Sequence, residues 1–122
     1  MRITDHVTKA HRVEETMLSK LDRDQDYEIF VEACMLAGTH LLNAILHKYA
    51  VTPQGADLLH SDKPELETAV PLELQPLFSA MKYVEDLRPG YLRGTKAWSA
   101  DDGKKCMQSY HQVKRFAQKA LA

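Results

Sequence analysis

Apolar residues recur at spacings of three and four along most of this chain, which is the period of an amphipathic helix. The first such stripe predicts a helix over residues 4–21, with Thr4 or Asp5 as its N-cap. A short acidic stretch then ends the pattern and offers Asp24 or Asp26 as a cap for the next helix. The apolar positions of the first stripe are Ile3, Val7, Ala10, Val13, Met17 and Leu21.

The second predicted helix, which runs to about Tyr49, is apolar over most of its circumference, as expected of a central helix. Small residues along it, Gly38 among them, would allow a neighbouring helix to pack closely. An irregular connection over residues 51–68 follows. The apolar positions of this helix are Phe30, Val31, Cys34, Leu36, Ala37, Leu41, Leu42, Ala44, Ile45 and Leu46.

Two further helices complete the pattern. The third is predicted to start near Pro71 or near Glu73 and to stop at Pro89-Gly90, and Ser99 is a predicted N-cap of the fourth. Their apolar positions are Leu74, Leu77, Phe78, Met81, Val84 and Leu87, then Cys106 or Met107, Tyr110, Val113, Ala117, and Ala120 or Leu121. The sequence therefore predicts one all-α domain over residues 1–122, a four-helix up-and-down-like bundle with an irregular connection between helices two and three.

Composition is that of an ordinary globular domain, with 44% hydrophobic and 27% charged residues. No run approaches the ~20 apolar residues that a membrane span needs, and the first ten residues lack a signal-peptide core. We therefore expect a cytoplasmic protein with no membrane partner. Cys34 and Cys106 have no C-x-x-C partner and are expected to be free, partly buried thiols.

The charge changes sign at Arg88. From there to residue 122 the chain has eight Lys or Arg and two Asp or Glu, a charge of +6 that leaves −7 for residues 1–87. This basic part opens with the sequence RPGYLRG, which predicts a rigid turn that binds an anion. Arg88 and Arg93 would hold phosphate or carboxylate, Tyr91 would stack on a base, and Lys96 follows closely.

The function predicted from this turn is a non-catalytic binding module for a nucleotide, an RNA or a partner protein. In the alternative interpretation, Tyr91 and Leu92 pack under the bundle and the arginines pair with Glu85, Asp86 or the acidic first helix. No P-loop and no G-x-G-x-x-G occurs, and neither a cofactor nor a catalytic residue is assigned.

A polar run, His60-Ser61-Asp62-Lys63, lies in the Pro-bounded connection. Connections of this length are uncommon unless they are functional, so His60 and Lys63 join the candidate ligand-binding residues. A capped turn that leads into the third helix is the alternative. The second function class is an enzyme that cleaves RNA or a phosphate ester, with His60 or His111 as general base.

Six histidines prompt a search for a metal site. His40 and His47 are seven residues apart and share a face of the second helix. No Glu-x-x-His pair recurs on two helices, as a di-iron bundle requires, so no metal ligand is assigned. Hydrogen-bonded or surface histidines are the simplest interpretation. A metal-binding bundle that uses His40 and His47 is the third function class, and a site built from three histidines on different helices remains open.

Three pieces of the sequence together resemble the HEPN superfamily of small helical bundles. They are residues 33–50 (ACMLAGTHLLNAILHKYA), 57–63 (DLLHSDK) and 85–94 (EDLRPGYLRG). The resemblance implies a helical bundle, dimerisation, and a groove that binds a nucleotide or RNA. Catalytic members carry an Arg followed by a His with about four to six residues between them; no Arg here is followed by a His at that distance, so ribonuclease activity of that type is not expected. The surplus apolar surface of the second helix also predicts a homodimer.

Overall fold

A computed structural model describes residues 1–58 and 70–122 of the chain. Its α-helices are α1 (Ile3–Val13), α2 (Tyr27–Lys48), α3 (Gln75–Asp86), the short α4 (Arg88–Tyr91) and α5 (Ala100–Ala120). A π-helical turn (Glu14–Leu18) continues α1, and a 3-10 turn (Leu72–Leu74) precedes α3. No strand occurs in these two stretches of chain. The predicted all-α bundle of four long helices is therefore confirmed.

The helix α2 is central, as predicted: it packs against α1, α3 and α5. A β-carbon added at Gly38 would lie 2.5 Å from the sulfur of Met81, so the glycine allows α3 to approach α2 closely. By length and composition α2 could cross a membrane, with a mean hydropathy of 1.6 over its most apolar 18 residues, but 72% of that window is buried inside the bundle. Its apolar surface is thus largely covered by the other helices.

The buried faces predicted for the last two long helices are confirmed, because their periodic positions pack into one core. These residues are Leu74, Leu77, Phe78, Met81, Val84, Leu87, Cys106, Tyr110, Val113 and Ala117. Ser99 caps α5, since its hydroxyl oxygen accepts a hydrogen bond from the amide of Asp102. The apolar face of α1 is less buried than those of the other long helices, and Ala10 is the one predicted core position on it that is fully buried.

The two cysteines are buried free thiols that meet between α2 and α5. Their mutual hydrogen bond, together with burial, raises the pKa of Cys34. A thiol of raised pKa in an apolar interior is a poor nucleophile. Cys34 and Cys106 are therefore core residues.

The predicted N-cap of the first helix is wrong, and Asp26 occupies the predicted N-cap position of α2 but makes no capping hydrogen bond. The helix α1 starts at Ile3 with no side-chain cap, and the carboxylate of Asp5 instead pairs with Arg2 at 3.0 Å. Asp26 directly precedes α2, but its carboxylate accepts from the amide of Asp22 at 2.9 Å rather than from the helix. Short acidic side chains in a turn satisfy nearby backbone amides as readily as a helix end.

The predicted stop at Pro89-Gly90 is also wrong. The helix α3 ends at Asp86, and Pro89 and Gly90 lie inside α4. Proline is tolerated in the first turn of a helix because its missing N–H would have no intrahelical partner there. The sequence RPGYLRG therefore begins as a short helix that follows α3 after a single residue, Leu87.

The C-terminus of α2 is closed by a left-handed residue, Ala50, with φ 55°. The amide of Val51 donates to the carbonyl of Leu46 at 2.9 Å, the long-range bond of a Schellman-type ending. This closure reverses the chain, so that the segment after it returns along the C-terminal half of α2. Asn43 holds that segment, because its side-chain amide donates to the carbonyl of Leu58 and accepts from its N–H, both at 2.8 Å.

Candidate functional site

The returning segment places a carboxylate against two histidines from different helices. His6 lies on α1, His47 lies near the end of α2, and Asp57 follows the turn. Nε2 of His6 is 2.9 Å and Nε2 of His47 is 2.7 Å from the same oxygen, Oδ1 of Asp57. One ligand atom from each residue lies within 4.8 Å of the others. We call His6, His47 and Asp57 the His-Asp cluster.

The His-Asp cluster is buried on one side and accessible on the other. The side chains of His6 and His47 are 1% and 0% exposed, whereas that of Asp57 is 25% exposed. The second oxygen of Asp57, Oδ2, accepts a hydrogen bond from the amino group of Met1 at 3.0 Å. Small ions could therefore reach the cluster from the side of the carboxylate.

Both histidines are oriented by partners at their other ring nitrogen. Nδ1 of His6 lies 3.0 Å from Nδ1 of His40. Nδ1 of His47 lies 3.1 Å from the carbonyl oxygen of Thr52 and 3.0 Å from its hydroxyl. Each ring thus has one nitrogen directed at the carboxylate and the other at an outer partner, which is the arrangement that fixes the orientation of metal-binding histidines.

The electrostatics of the cluster keep its oxygen anionic. Burial opposes ionisation of Asp57, but hydrogen bonds from His6, the Met1 amino group and His47 outweigh it and hold the pKa of Asp57 below its ordinary value. Burial lowers the pKa of His6, although the hydrogen bond to Asp57 opposes this. An ionised carboxylate and a neutral imidazole are the protonation states in which these groups bind a metal ion.

Two imidazole nitrogens and one carboxylate oxygen form a donor set found at catalytic zinc centres and at mononuclear iron centres. At metal–ligand bonds of 2.0–2.2 Å, tetrahedral ligand atoms lie roughly 3.4 Å apart. The two nitrogen–oxygen distances to Asp57, 2.9 and 2.7 Å, are those of hydrogen bonds. Binding an ion would thus require these contacts to open by about half an ångström or slightly more, with loss of the intervening protons.

The residues predicted to bind an anion make contacts within the bundle. Nε of Arg88 lies 3.2 Å from Glu32, and its Nη1 lies 3.0 Å from Glu85. Tyr91 is 2% exposed, and its hydroxyl donates a hydrogen bond to Asp102. The alternative interpretation, internal pairing, therefore describes Arg88 and Tyr91 in this structure.

The other predicted residues of the basic part lie at the surface. Nζ of Lys96 sits 4.9 Å from the centre of the Tyr91 ring and 3.6 Å from Oδ2 of Asp102. Arg93 is exposed. His111 is exposed on α5. Anion binding through this part of the chain stays a prediction.

The sequence identified part of the His-Asp cluster and missed part of it. His40 and His47 do share a face of α2, and both rings lie near His6. His6 and Asp57 were not predicted. The signal for His6 was its position four residues before Ala10, on the buried side of α1. His60 and Lys63 lie outside the described residues.

No protein-family model, no curated protein and no solved structure matches this chain. The fold and the site define a class of protein, an all-α bundle with a His-Asp cluster between α1 and the end of α2. The resemblance to the HEPN superfamily and the homodimer stay predictions.

Proposed function

We propose that this protein is a metal-binding helical bundle that holds one divalent first-row transition ion at the His-Asp cluster. The observation that carries the proposal is the convergence of two imidazole ε-nitrogens on one carboxylate oxygen, at 2.9 and 2.7 Å. Each of these nitrogens belongs to a ring whose δ-nitrogen has its own partner. The ligand atoms are thereby presented in a fixed direction before any ion arrives, which favours binding.

The donor types favour a particular group of ions. Imidazole nitrogen suits Zn²⁺, Ni²⁺, Cu²⁺ and Fe²⁺, whereas Mg²⁺ and Ca²⁺ prefer sites built from oxygen. Three protein ligands leave one position of a tetrahedral ion for water or another small ligand. The partly exposed carboxylate of Asp57 gives that position access to solvent. Zn²⁺ is the suitable probe because it is redox-inert and fits tetrahedral sites.

A purely structural role is the alternative, in which hydrogen bonds join α1 to the segment after α2. The three donors around Asp57 already satisfy its carboxylate, so the cluster is also stable without an ion. The two roles differ in one respect: only the metal site binds a transition ion with one-to-one stoichiometry and loses it when a single ligand is replaced.

Isothermal titration of Zn²⁺ into protein freed of any polyhistidine tag tests the proposal. We expect one-to-one binding to the wild type and no comparable binding of Mg²⁺. Asp57→Asn, which keeps the shape but removes the charge, and His47→Gln should each weaken Zn²⁺ binding by more than ~100-fold, because loss of an outer partner alone costs about 10–100-fold. The matched control is His11→Gln, since His11 is an exposed histidine of α1 outside the cluster.

Circular dichroism of each variant must first show a helical fold. Absence of saturable Zn²⁺ binding to the folded wild type would overturn the proposal. Equal binding to the wild type and to both ligand variants would also overturn it, because the ion would then be bound elsewhere.

A further inference from the structure

A cleft separates the helices α1 and α5. Both pack on α2, but in the described parts of the chain no residue of α1 has its Cα atom within 8 Å of one in α5. The cleft has a volume of about 520 Å³, which is within the range of small-molecule sites. None of the three residues of the His-Asp cluster lines it, so it is independent of the proposed metal site. We infer that this cleft binds a neutral single-chain amphiphile with a hydroxyl or primary amide head.

The lining of the cleft is mostly apolar. Leu41 of α2 contributes to it, with Val7 and Ala10 from α1. The opposite side comes from Ala117 and Leu121, at the end of α5. Val7 and Leu121 are only partly buried, so a ligand that covers them would remove further apolar surface from water. This lining suits an alkyl chain.

An ion pair lies at one end of the cleft. Oε1 of Glu14 is 2.6 Å from Nζ of Lys114, and it accepts a hydrogen bond from the hydroxyl of Tyr110 at 3.1 Å. Glu14 follows the last residue of α1 and begins the π-helical turn, a type of turn that is frequent at functional sites. From Lys114 to Leu121 the helix rises about 10 Å, a length comparable with an extended octyl chain.

The ion pair has hydrogen-bonding capacity left for a ligand. The ammonium group of Lys114 has three N–H donors, and one of them is directed at Glu14. Oε1 of Glu14 already accepts two hydrogen bonds, whereas no described residue donates to Oε2. The two side chains are 26% and 31% exposed, so a ligand can reach both.

These spare groups select the head of the ligand. A hydroxyl or a primary amide can accept a hydrogen bond from Lys114 and donate one to Glu14. A carboxylate head would be attracted by Lys114 and repelled by Glu14, and an ammonium head would meet the reverse. Because the pair as a whole has no net charge, the neutral head fits it best.

Titration of ¹⁵N-labelled wild type with octan-1-ol, followed by nuclear magnetic resonance, tests the inference. We expect saturable one-to-one shifts grouped at the amides that line the cleft. Octanoate and octylammonium should each bind about tenfold more weakly, because each loses a hydrogen bond to a charged group. No saturable shifts, shifts grouped outside the cleft, or a charged probe that binds as tightly as the alcohol would overturn the inference.

Removing one partner of the ion pair tests the choice of head group. Glu14→Gln leaves the charge of Lys114 alone at the end of the cleft, so octanoate should become the tightest of the three probes. Lys114→Met leaves the carboxylate of Glu14, so octylammonium should become the tightest. The same ranking of the probes in the wild type and in both folded variants would contradict the role of the ion pair.

Filling the cleft tests where the alkyl chain lies. Val7→Trp should abolish binding of octan-1-ol, and the matched control Lys9→Trp, at an exposed position of α1 outside the lining, should not change it. Circular dichroism must show a helical fold for both; if Val7→Trp does not fold, the positions of the wild-type shifts decide. Unchanged binding to folded Val7→Trp would overturn the inference. A dimer that octan-1-ol dissociates, seen by light scattering, would also overturn it and assign the cleft to a second copy of the chain.

Discussion

Two polar regions of this molecule differ in how their charges are satisfied. In the basic part that starts at Arg88, three of the predicted anion-binding groups face acidic groups of the same chain. Arg88 faces Glu32 and Glu85, and Lys96 and Tyr91 face Asp102. In the His-Asp cluster, the rings of His6 and His47 both hydrogen-bond to one carboxylate oxygen of Asp57. The positive charge after Arg88 therefore did not point to the His-Asp cluster, which is the candidate site that the structure favours.

The difference has a physical basis. An arginine paired with two carboxylates has no lone pair to offer, and an external anion must compete with charges already in place. A neutral imidazole that donates to a carboxylate has a proton that a metal ion can displace. Arg88 is thus held by ion pairs within the chain, whereas the proposed metal site would exchange protons for a cation.

The largest expected effect separates the regions by their response to Zn²⁺. At a free Zn²⁺ concentration of 100 times its dissociation constant, the unfolding free energy of the wild type should rise by about 2.7 kcal/mol. Denaturant unfolding of the wild type, Asp57→Asn and Arg88→Ala, each with and without Zn²⁺, measures this gain. Arg88→Ala should keep the gain and Asp57→Asn should lose it. A gain of the same size in Asp57→Asn would place the ion outside the cluster.

The next effect tests whether Arg88 serves the fold. Its side chain is 18% exposed, and Arg88→Ala would leave Glu32 and Glu85 without their partner. We expect a loss of about 1–3 kcal/mol, below the 3–5 kcal/mol of a fully buried pair because Glu32 is partly exposed. The exposed Arg93→Ala is the matched control and should stay within about 0.5 kcal/mol of the wild type. An Arg88 variant with wild-type stability but weakened binding of a nucleotide would restore the anion-binding hypothesis.

Much of the fold was predictable because its signals are local. The apolar positions of α3 and α5 and the cap at Ser99 depend on residues three or four apart, and the structure confirms them. The partnership of Arg88 with Glu32 spans 56 residues and has no signature in the pattern. Asp57 also lacked a local signal, because its place beside His47 depends on the left-handed closure of α2 at Ala50.

An effect of similar size should come from the hydroxyl of Tyr91, which the anion-binding hypothesis treats as dispensable. Tyr91→Phe keeps the ring and removes the hydrogen bond to Asp102, so we expect a loss of about 1.5–3 kcal/mol at most, as for a bond to a charged group. Tyr83→Phe is a matched comparison, since that hydroxyl donates to the other oxygen of Asp102 at 2.9 Å. Thermal unfolding of both variants measures the two bonds. No change in either would show that water replaces these hydroxyls without cost.

The carboxylate of Asp102 also makes the stability of the fold depend on pH. The hydrogen bond from Tyr91 lowers the pKa of Asp102, with further help from Tyr83 and Lys96 against the opposing effect of burial. A folded-state pKa below the unfolded value means that the stabilisation is complete above pH ~4 and is lost as the pH falls through the folded pKa. Asp102→Asn should therefore lower stability at pH 7 and flatten the loss of stability in acid. A variant with the acid slope of the wild type would assign that slope to other carboxylates.

The smallest effect concerns the turn that carries Asp57 back to His47. Ala50 has φ 55°, a left-handed conformation that costs an L-residue about 1–2 kcal/mol, while glycine adopts it freely. Because glycine also gives the unfolded chain roughly 0.5–1 kcal/mol more entropy, Ala50→Gly should stabilise the protein by only about 0.5 kcal/mol. Denaturant unfolding measures the gain, and Zn²⁺ titration should give the affinity of the wild type, since no contact of the cluster changes. A destabilised variant would indicate that the methyl group of Ala50 packs usefully, and an altered affinity would show that the turn helps to set the geometry of the cluster.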